Sequence, residues 1–323
     1  MKTNTHQQNM IKKLNLRACL FYLNWLQAIK QIPINQVNKQ ESESCRRAIN
    51  QAIYQYFPNE NDRMNVLIEL ESAYDENILP IDSFNWLKQD ERAAFWLWGY
   101  LCKVDDYKLG INPPQPPQNA IANENWYGRL NLSFSASNHH ERITLIISFF
   151  DEILIANTSA CYLKKQIMAK LKEQWAVIYS RPIPLKWLPD EEEVVLWAWQ
   201  HLQKCQQERL LPPTAVNISM IPPGLTTWFT PLNSSERLLA LRTALDLWDD
   251  APDTKRLFLL NLNKAWNQQK LRQSRTDKKA LNTYLKNETK QRLDFMAAQQ
   301  NIRISEMLEK LINERYYTDF DSN

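Results

Sequence analysis

The stretch that decides the fold prediction is residues 278–308, KKALNTYLKNETKQRLDFMAAQQNIRISEML. Between residues 281 and 285 every second side chain is apolar or β-branched, which is the period of a half-buried β-strand. From Asn287, a suitable N-cap, apolar residues recur every three or four positions, as in an amphipathic helix. Asn301 suits the left-handed conformation that ends a helix, and a second helical run begins near Ile304. The sequence therefore predicts a strand, a helix, a tight turn and a second helix.

The order of these elements resembles the ribbon-helix-helix repressors of the Arc/MetJ type, and also the C-terminal part of the macrodomain Ter organiser protein. The likeness rests on LNTYL at 281–285, on RLD at 292–294 followed by Ala297, and on ISEML at 304–308. It covers residues 276–320 of a 323-residue chain. The resemblance implies a strand that pairs with the same strand of a second copy, so that dimerisation is part of folding.

The resemblance also implies which residues hold DNA. The ribbon face that enters the major groove would present three side chains to the base edges: Ala280, Asn282 and Tyr284. Phosphates would be held by basic side chains and by the amides that open the second helix: Arg275, Lys278, Lys279, Arg303, Ile304 and Ser305. The dimer core would contain Leu281, Thr283, Leu285, Leu293, Met296, Met307, Leu308 and Leu311. Arg303 stands where the family often has Ser or Thr, so we expect the reciprocal cap with Glu306 to be lost.

Basic residues are concentrated around this stretch. The segment from Lys255 to Arg292 contains eleven basic and two acidic residues, a net charge of +9, whereas the whole chain carries +3. The rest of the chain is therefore acidic. A basic segment attached to an acidic body is the electrostatic pattern of a protein that binds a polyanion. Double-stranded DNA is the partner that charge and resemblance together predict.

The composition predicts a mainly α-helical protein. Only four glycines occur, although tight turns between strands need glycine because it adopts positive φ freely. We expect a large helical domain of unknown role over residues 1–270 and a small DNA-binding and dimerisation module over residues 271–323. Within the large domain, Phe95–Trp98 recurs as Leu196–Trp199, which indicates duplicated helical units. Residues two apart on a helix point in nearly opposite directions, so each Trp-x-Trp pair is expected to lie in a core.

A second recurring pattern is an arginine followed by an apolar helical run that ends in aspartate. It occurs at residues 63–75, 142–151 and 237–246. Acidic pairs that follow apolar helices, such as Asp151 and Glu152, are expected to mark the exit of a helix into solvent. We do not predict that they form an acid–base pair.

No pattern in the sequence predicts an enzyme or a cofactor. The five cysteines are scattered, without a CxxC motif or a Cys/His cluster, so neither a metal site nor a disulfide framework is indicated. Glycine-rich nucleotide-binding motifs are absent, and no apolar run approaches the ~18 residues of a membrane helix. We therefore expect a cytoplasmic bacterial protein, associated with the nucleoid, that has no catalytic residues, metal or cofactor and no contact with a membrane.

Three functions remain open from the sequence. The first is a homodimeric, sequence-specific transcriptional regulator whose helical body senses a ligand or a partner. The second is a DNA-organising or partition-type protein whose body bridges dimers. The third is a helical interaction protein whose C-terminus only oligomerises the chain. The third explains the apolar periodicity, but it explains neither the alternating stretch nor the concentrated positive charge.

Overall fold

A computed structural model describes residues 11, 14–34, 37–111, 125–153, 160–181, 185–210, 229–248, 251–273, 279 and 281–320. All regular secondary structure within these ranges is helical, so the predicted mainly α-helical fold is confirmed. The chain divides into two compact units, Met1–Asn263 and Lys264–Asn323. The boundary between the two units falls inside one long helix.

Most helices belong to the first unit. In chain order they are α1 (Leu16–Ala28), α2 (Ser42–Tyr56), α3 (Glu60–Asn77), a 3-10 turn (Ile81–Phe84), α4 (Asn85–Lys88), α5 (Glu91–Lys103), α6 (Asp106–Leu109), α7 (Trp126–Arg129), α8 (His139–Glu152), α9 (Ala160–Ser180), α10 (Glu192–Leu210) and α11 (Ser234–Asp246). Helix α12 (Pro252–Gln273) crosses the boundary. The second unit continues with α13 (Asn287–Gln299) and α14 (Ile304–Phe320).

Side-chain caps define where several of these helices begin. The Asn15 side chain accepts a hydrogen bond from Ala18 N–H at 2.8 Å, and Asp90 accepts one from Ala93 N–H at 3.0 Å. Asn138 and Asn233 cap α8 and α11 in the same way, each three residues before a glutamate. These caps satisfy amide groups that have no partner inside the helix. Helices α1 and α5 therefore start alike, as do α8 and α11.

The core of the first unit is rich in aromatic residues. Helix α5 packs against α8 and α11, and α10 packs against α11. Trp96 and Trp98 are both almost fully buried on different sides of α5, which confirms the expectation for that pair. Trp96 contacts Trp175 at a ring-centroid distance of 5.5 Å, while Trp98 donates a hydrogen bond to the Tyr127 hydroxyl at 2.9 Å. Helix α5 therefore makes buried aromatic contacts on two sides.

The second unit contains an antiparallel helix pair with a small core. Helices α13 and α14 pack against each other, and the buried side chains between them are Leu293, Ala297 and Met307. Asn301 lies in the connection with φ of 52°. This is the left-handed conformation that was predicted, which asparagine tolerates better than most residues. The tight turn between two helices is therefore confirmed.

The predicted strand is absent, and the ribbon-helix-helix interpretation is wrong. A ribbon needs a β-strand, but none occurs in the described ranges. Residues 281–286 precede α13 without regular hydrogen bonding, and all six side chains are exposed. Alternation over five residues expresses only a preference, because a strand also needs a paired neighbour and a face to bury. In the described part of the chain, residues 281–285 have neither a paired strand nor a buried face.

The ends of the C-terminal helices also differ from expectation. Helix α13 already includes Asn287, so its N-cap is Lys286, whose side chain forms no cap hydrogen bond. The cap of α14 is retained in part. The Arg303 backbone N–H donates to Glu306 Oε2 at 3.2 Å, which is the half of the reciprocal cap that needs no hydroxyl at Arg303.

Candidate functional site

The basic segment presents several cations to solvent. On α12, Arg256, Lys264 and Lys270 are exposed, and the Lys270 amine lies 5.8 Å from the centre of the Trp266 ring. Lys279 and Lys286 are exposed in the segment before α13. Exposed lysines and arginines can neutralise phosphates without geometric constraint, so this surface can attract a polyanion of any sequence.

The predicted base-contacting residues are accessible where they are described. Asn282 and Tyr284 are exposed, and the Tyr284 side chain is fully accessible to solvent, with 104% relative exposure. Ala280 lies outside the described residues, as do Arg275 and Lys278 among the predicted phosphate contacts. The ribbon face that was to hold these side chains does not exist, so their contacts with bases remain predictions without that support.

The remaining phosphate contacts cluster at the start of α14. Arg303, Ile304 and Ser305 are all exposed there. The amides of the first helical turn are oriented outward along the axis, which suits an anion. Glu306 occupies the Arg303 amide, so a phosphate at this end has to bind beside a carboxylate.

The predicted dimer core is only partly buried in one chain. Leu293 and Met307 are buried, and Leu308 and Leu311 are half-buried against them. The other four are exposed: Leu281, Thr283, Leu285 and Met296. The structure therefore brings together four of the five helical members of the predicted core, and leaves Met296 and the members from the predicted strand outside it.

The helix pair also exposes a row of large apolar side chains. On α14, Ile312, Tyr316 and Phe320 follow at intervals of four residues and have relative exposures of 57%, 56% and 70%. On α13, Phe295 is 66% exposed. Residues four apart lie on one side of a helix, so α14 carries a continuous apolar stripe beside its small core.

The sequence analysis missed a set of buried ion pairs in the first unit. Arg17, at the start of α1, donates through Nε and Nη2 to the two carboxylate oxygens of Asp151 at 2.6 and 2.5 Å. The Lys164 side chain is also buried there, and its amine donates to the Asn77 carbonyl at 2.9 Å. Burial lowers the pKa of Lys164 to about 8, although Asp151 opposes this change.

A second ion pair of the same kind joins α5 to α11. Arg92 donates through Nε and Nη2 to Asp246 Oδ2 at 3.1 and 2.7 Å, and the Asp246 side chain is 2% exposed. Burial raises the pKa of Asp246, while Arg92 and Lys255 act in the opposite direction. Lys255 is thus placed near Asp246 as Lys164 is near Asp151.

The first of these pairs corrects the expectation for Asp151. Asp151 is not an exit to solvent, because its side chain is 16% exposed and bound by Arg17. The recurring arginine-to-aspartate pattern was the signal that could have revealed this. A carboxylate at the end of an apolar helix needs either solvent or a cation, and the pattern does not say which of the two is present.

A further buried arginine links α8 to α11. Arg142 has no exposed side-chain surface, and it forms an ion pair with Glu236. The Arg142 guanidinium carbon lies 4.0 Å from the centre of the Phe95 ring. Arg237 holds the corresponding position in α11, directly after Glu236 as Arg142 follows Glu141. It lines a cavity of about 500 Å³ beside α10.

The described parts of the chain contain neither a cluster of metal ligands nor a membrane-spanning helix. No group of three His, Cys, Asp or Glu side chains there is arranged to hold a metal ion. Among the described helices, none combines the length and apolar character of a membrane span. No family model, no curated protein and no solved structure matches this chain.

Proposed function

We propose that the protein binds duplex DNA through its basic segment and acts as a transcriptional regulator that selects its sites by sequence. The observation that supports this proposal is the separation of charge. A segment of net charge +9 follows an acidic body, and its described lysines and arginines are mostly exposed. Charge that serves only solubility is usually mixed in sign and spread over the surface. A concentrated cationic segment instead favours association with phosphates.

The C-terminal helix pair supports a homodimer. Its core has only three buried apolar side chains among the described residues, Leu293, Ala297 and Met307. A unit of this size rarely gains enough stability from so small a core unless another copy completes it. The apolar stripe of α14 supplies a surface that a second copy can cover, because residue i of one chain can meet residue j of the other in a symmetric pair.

Binding to DNA is tested by fluorescence anisotropy with the full chain and a labelled duplex over a range of salt concentrations. The logarithm of the association constant should fall linearly with the logarithm of salt concentration, with a slope of about −0.9 for each phosphate contact. Lys264→Gln and Lys279→Gln should each weaken binding to all sequences and reduce that slope by about 0.9. Lys170→Gln, at an exposed position of α9, is the matched control and should change neither quantity.

The dimer is tested by sedimentation of the full chain. Ile312→Asp places a charge in the apolar stripe and should produce a monomer. Ile68→Asp, on α3, is the control, because Ile68 and Ile312 are equally exposed at 57%. A wild-type monomer, or a dimer that survives Ile312→Asp, would contradict this part of the proposal. Binding to DNA that is independent of salt would contradict the other part.

Selection of sites is tested by mapping occupancy along the genome. A regulator should occupy a few sites near promoters. Copies of one motif dispersed over a replicon would instead indicate a DNA-organising role. Asn282→Ala and Tyr284→Ala test recognition of bases separately from binding to phosphates, because a base contact contributes about 1–3 kcal/mol of discrimination between sequences. Both should reduce preference for the occupied site while leaving binding to random DNA unchanged.

A further inference from the structure

The cavity beside α10 has a lining with both apolar and polar parts. Its residues include Leu196, Trp199, Gln200, Gln203, Phe229 and Arg237. The volume of about 500 Å³ is in the range of sites that hold a ligand or an inserted side chain. Arg237 is the residue of interest, because its side chain is only 15% exposed and a buried guanidinium needs partners.

The same lining occurs a second time in the first unit. Position by position along the helices, Leu196 corresponds to Phe95 and Trp199 to Trp98. Arg237 corresponds to Arg142, since each is the fourth residue of a helix capped by asparagine. The pairs of helices are also packed alike, α5 against α8 and α10 against α11. The two surfaces are thus comparable in residue type and in placement.

On α5 and α8 this surface is covered by a segment of the same chain. The Phe229 ring lies 4.9 Å from the Phe95 ring and 5.5 Å from the Trp98 ring, centre to centre. Seven residues later, Glu236 forms the ion pair with the buried Arg142. An aromatic residue and a glutamate, seven positions apart, therefore cover the first surface and supply its carboxylate.

On α10 and α11 the corresponding arginine has no close carboxylate among the described residues, whereas Arg142, whose Nε and Nη1 also lack a partner, has Glu236. Arg237 Nη1 is buried and has no hydrogen-bond partner, and its closest carboxylate oxygen in the described residues belongs to Glu192, at 3.7 Å. Glu192 is 71% exposed, so this contact is long and screened by solvent. Leu196 is 37% exposed, whereas its counterpart Phe95 is buried.

We propose that this cavity is the docking site for an acidic segment of a partner protein, whose carboxylate binds Arg237 as Glu236 binds Arg142. The contacts of α5 and α8 with residues 229–236 define the chemistry of that segment: a glutamate preceded by an apolar or aromatic side chain. One difference between the two surfaces limits how deeply the partner segment can bind. Gly99, where a Cβ would lie 2.7 Å from Phe229 Cζ, corresponds to Gln200, so the apolar group of the partner rests on the Gln200 side chain.

The experiment uses a peptide that copies the internal cover, residues 229–240 (FTPLNSSERLLA), labelled at its C-terminus. Its binding to the full chain is measured by fluorescence anisotropy. Saturable binding is expected. The same peptide with glutamine in place of its glutamate should bind at least about tenfold more weakly, because a hydrogen bond to a charged group contributes more than about 1.5 kcal/mol.

Variants of the protein locate the site. Arg237→Gln should weaken binding of the peptide at least about tenfold, and Arg237→Lys should retain part of it. Arg47→Gln is the control, since Arg47 is 76% exposed on α2. The midpoint of thermal unfolding should be nearly the same in Arg237→Gln as in the wild type, because the contact of Arg237 with Glu192 is long and Glu192 is exposed. A large loss of stability would mean that Arg237 is structural.

Three results would overturn the proposal: no binding of the peptide, equal binding by the glutamine peptide, or equal binding by Arg237→Gln. A fourth result would overturn the proposed class of ligand but not the binding site. If N-acetylglutamate raises the midpoint of thermal unfolding through Arg237 while the peptide does not bind, the cavity takes a small carboxylate and not a protein segment. None of these measurements involves DNA, so their failure leaves the proposed DNA binding untouched.

Discussion

The ion pair between Arg92 and Asp246 offers a quantitative test of how the first unit is held together. Arg92→Met keeps most of the volume of the side chain but removes its charge. It leaves Asp246, whose side chain is 2% exposed, with only the weaker influence of Lys255 and Arg242 among the described cations. Loss of one member of a buried ion pair typically costs about 3–5 kcal/mol, because the other charge stays in a medium of low polarity. We expect the free energy of unfolding to fall by that amount at pH 7.

The destabilisation caused by Arg92→Met should depend on pH. Burial already raises the pKa of Asp246, and Arg92 acts against that rise. Without Arg92 the folded-state pKa rises further above the unfolded value. A group of this kind favours the folded state below the unfolded pKa and loses that contribution as pH rises through the folded pKa. The loss of stability in Arg92→Met should therefore be smaller at pH 5 than at pH 7.

Urea titration of the full chain, followed by circular dichroism, measures both effects. Arg17→Met should cost less than Arg92→Met, because Asp151 is 16% exposed and can be partly solvated. Arg315→Met removes an exposed pair with Asp319 and should change stability by less than about 1 kcal/mol. Replacing both Arg92 and Asp246 by apolar residues should recover most of the loss. If Arg92→Met is no more destabilised than Arg315→Met, burial does not control the energetics of this pair.

Three further predictions concern other parts of the chain. In the wild type, Lys164 should lose its proton at about pH 8, its pKa in the folded state, and only near pH 10.5 in the unfolded state. The unfolding free energy should therefore rise between these two pH values, by up to about 3 kcal/mol, and Lys164→Met should remove that rise in urea titrations at several pH values. Gly99→Ala should lower stability by about 1 kcal/mol, since overpacking against Phe229 outweighs the gain in helix propensity, and the same urea assay should show recovery when Phe229→Leu is added. Met307→Ala should unfold the C-terminal helix pair by removing a side chain that is 1% exposed, which hydrogen exchange would report as loss of protection in α13 and α14 with no change in α5.

Local features were predictable where one residue controls one local conformation. Asn301 is such a case, because few side chains tolerate positive φ and the turn between two helical runs needs one. The two buried tryptophans of α5 were predictable for a similar reason, since their spacing fixes their directions on a helix. The strand at residues 281–285 was not, because its formation depends on a partner strand that no local pattern encodes.

The ion pairs could not be predicted, because their members are distant in sequence. Arg17 and Asp151 are 134 residues apart, and Arg92 and Asp246 are 154 apart. Each residue alone looks like an ordinary polar position near the end of a helix. Only the packing of α1 and α5 onto later helices brings the charges together. The candidate site on Arg237 became apparent in the same way, through comparison with a covered counterpart.

The two arginine–aspartate pairs have a consequence for how the length of such a chain can change. The segment from α4 to α9 contains the cation of one pair, Arg92, and the anion of the other, Asp151. Excision of that whole segment would remove Arg92 and Asp151 together, but it would also remove the buried Arg142 and Lys164 and leave Glu236 without its partner. The buried charges of the first unit are therefore balanced only over the whole unit, and loss or duplication of this segment would leave a charge in the interior without a partner.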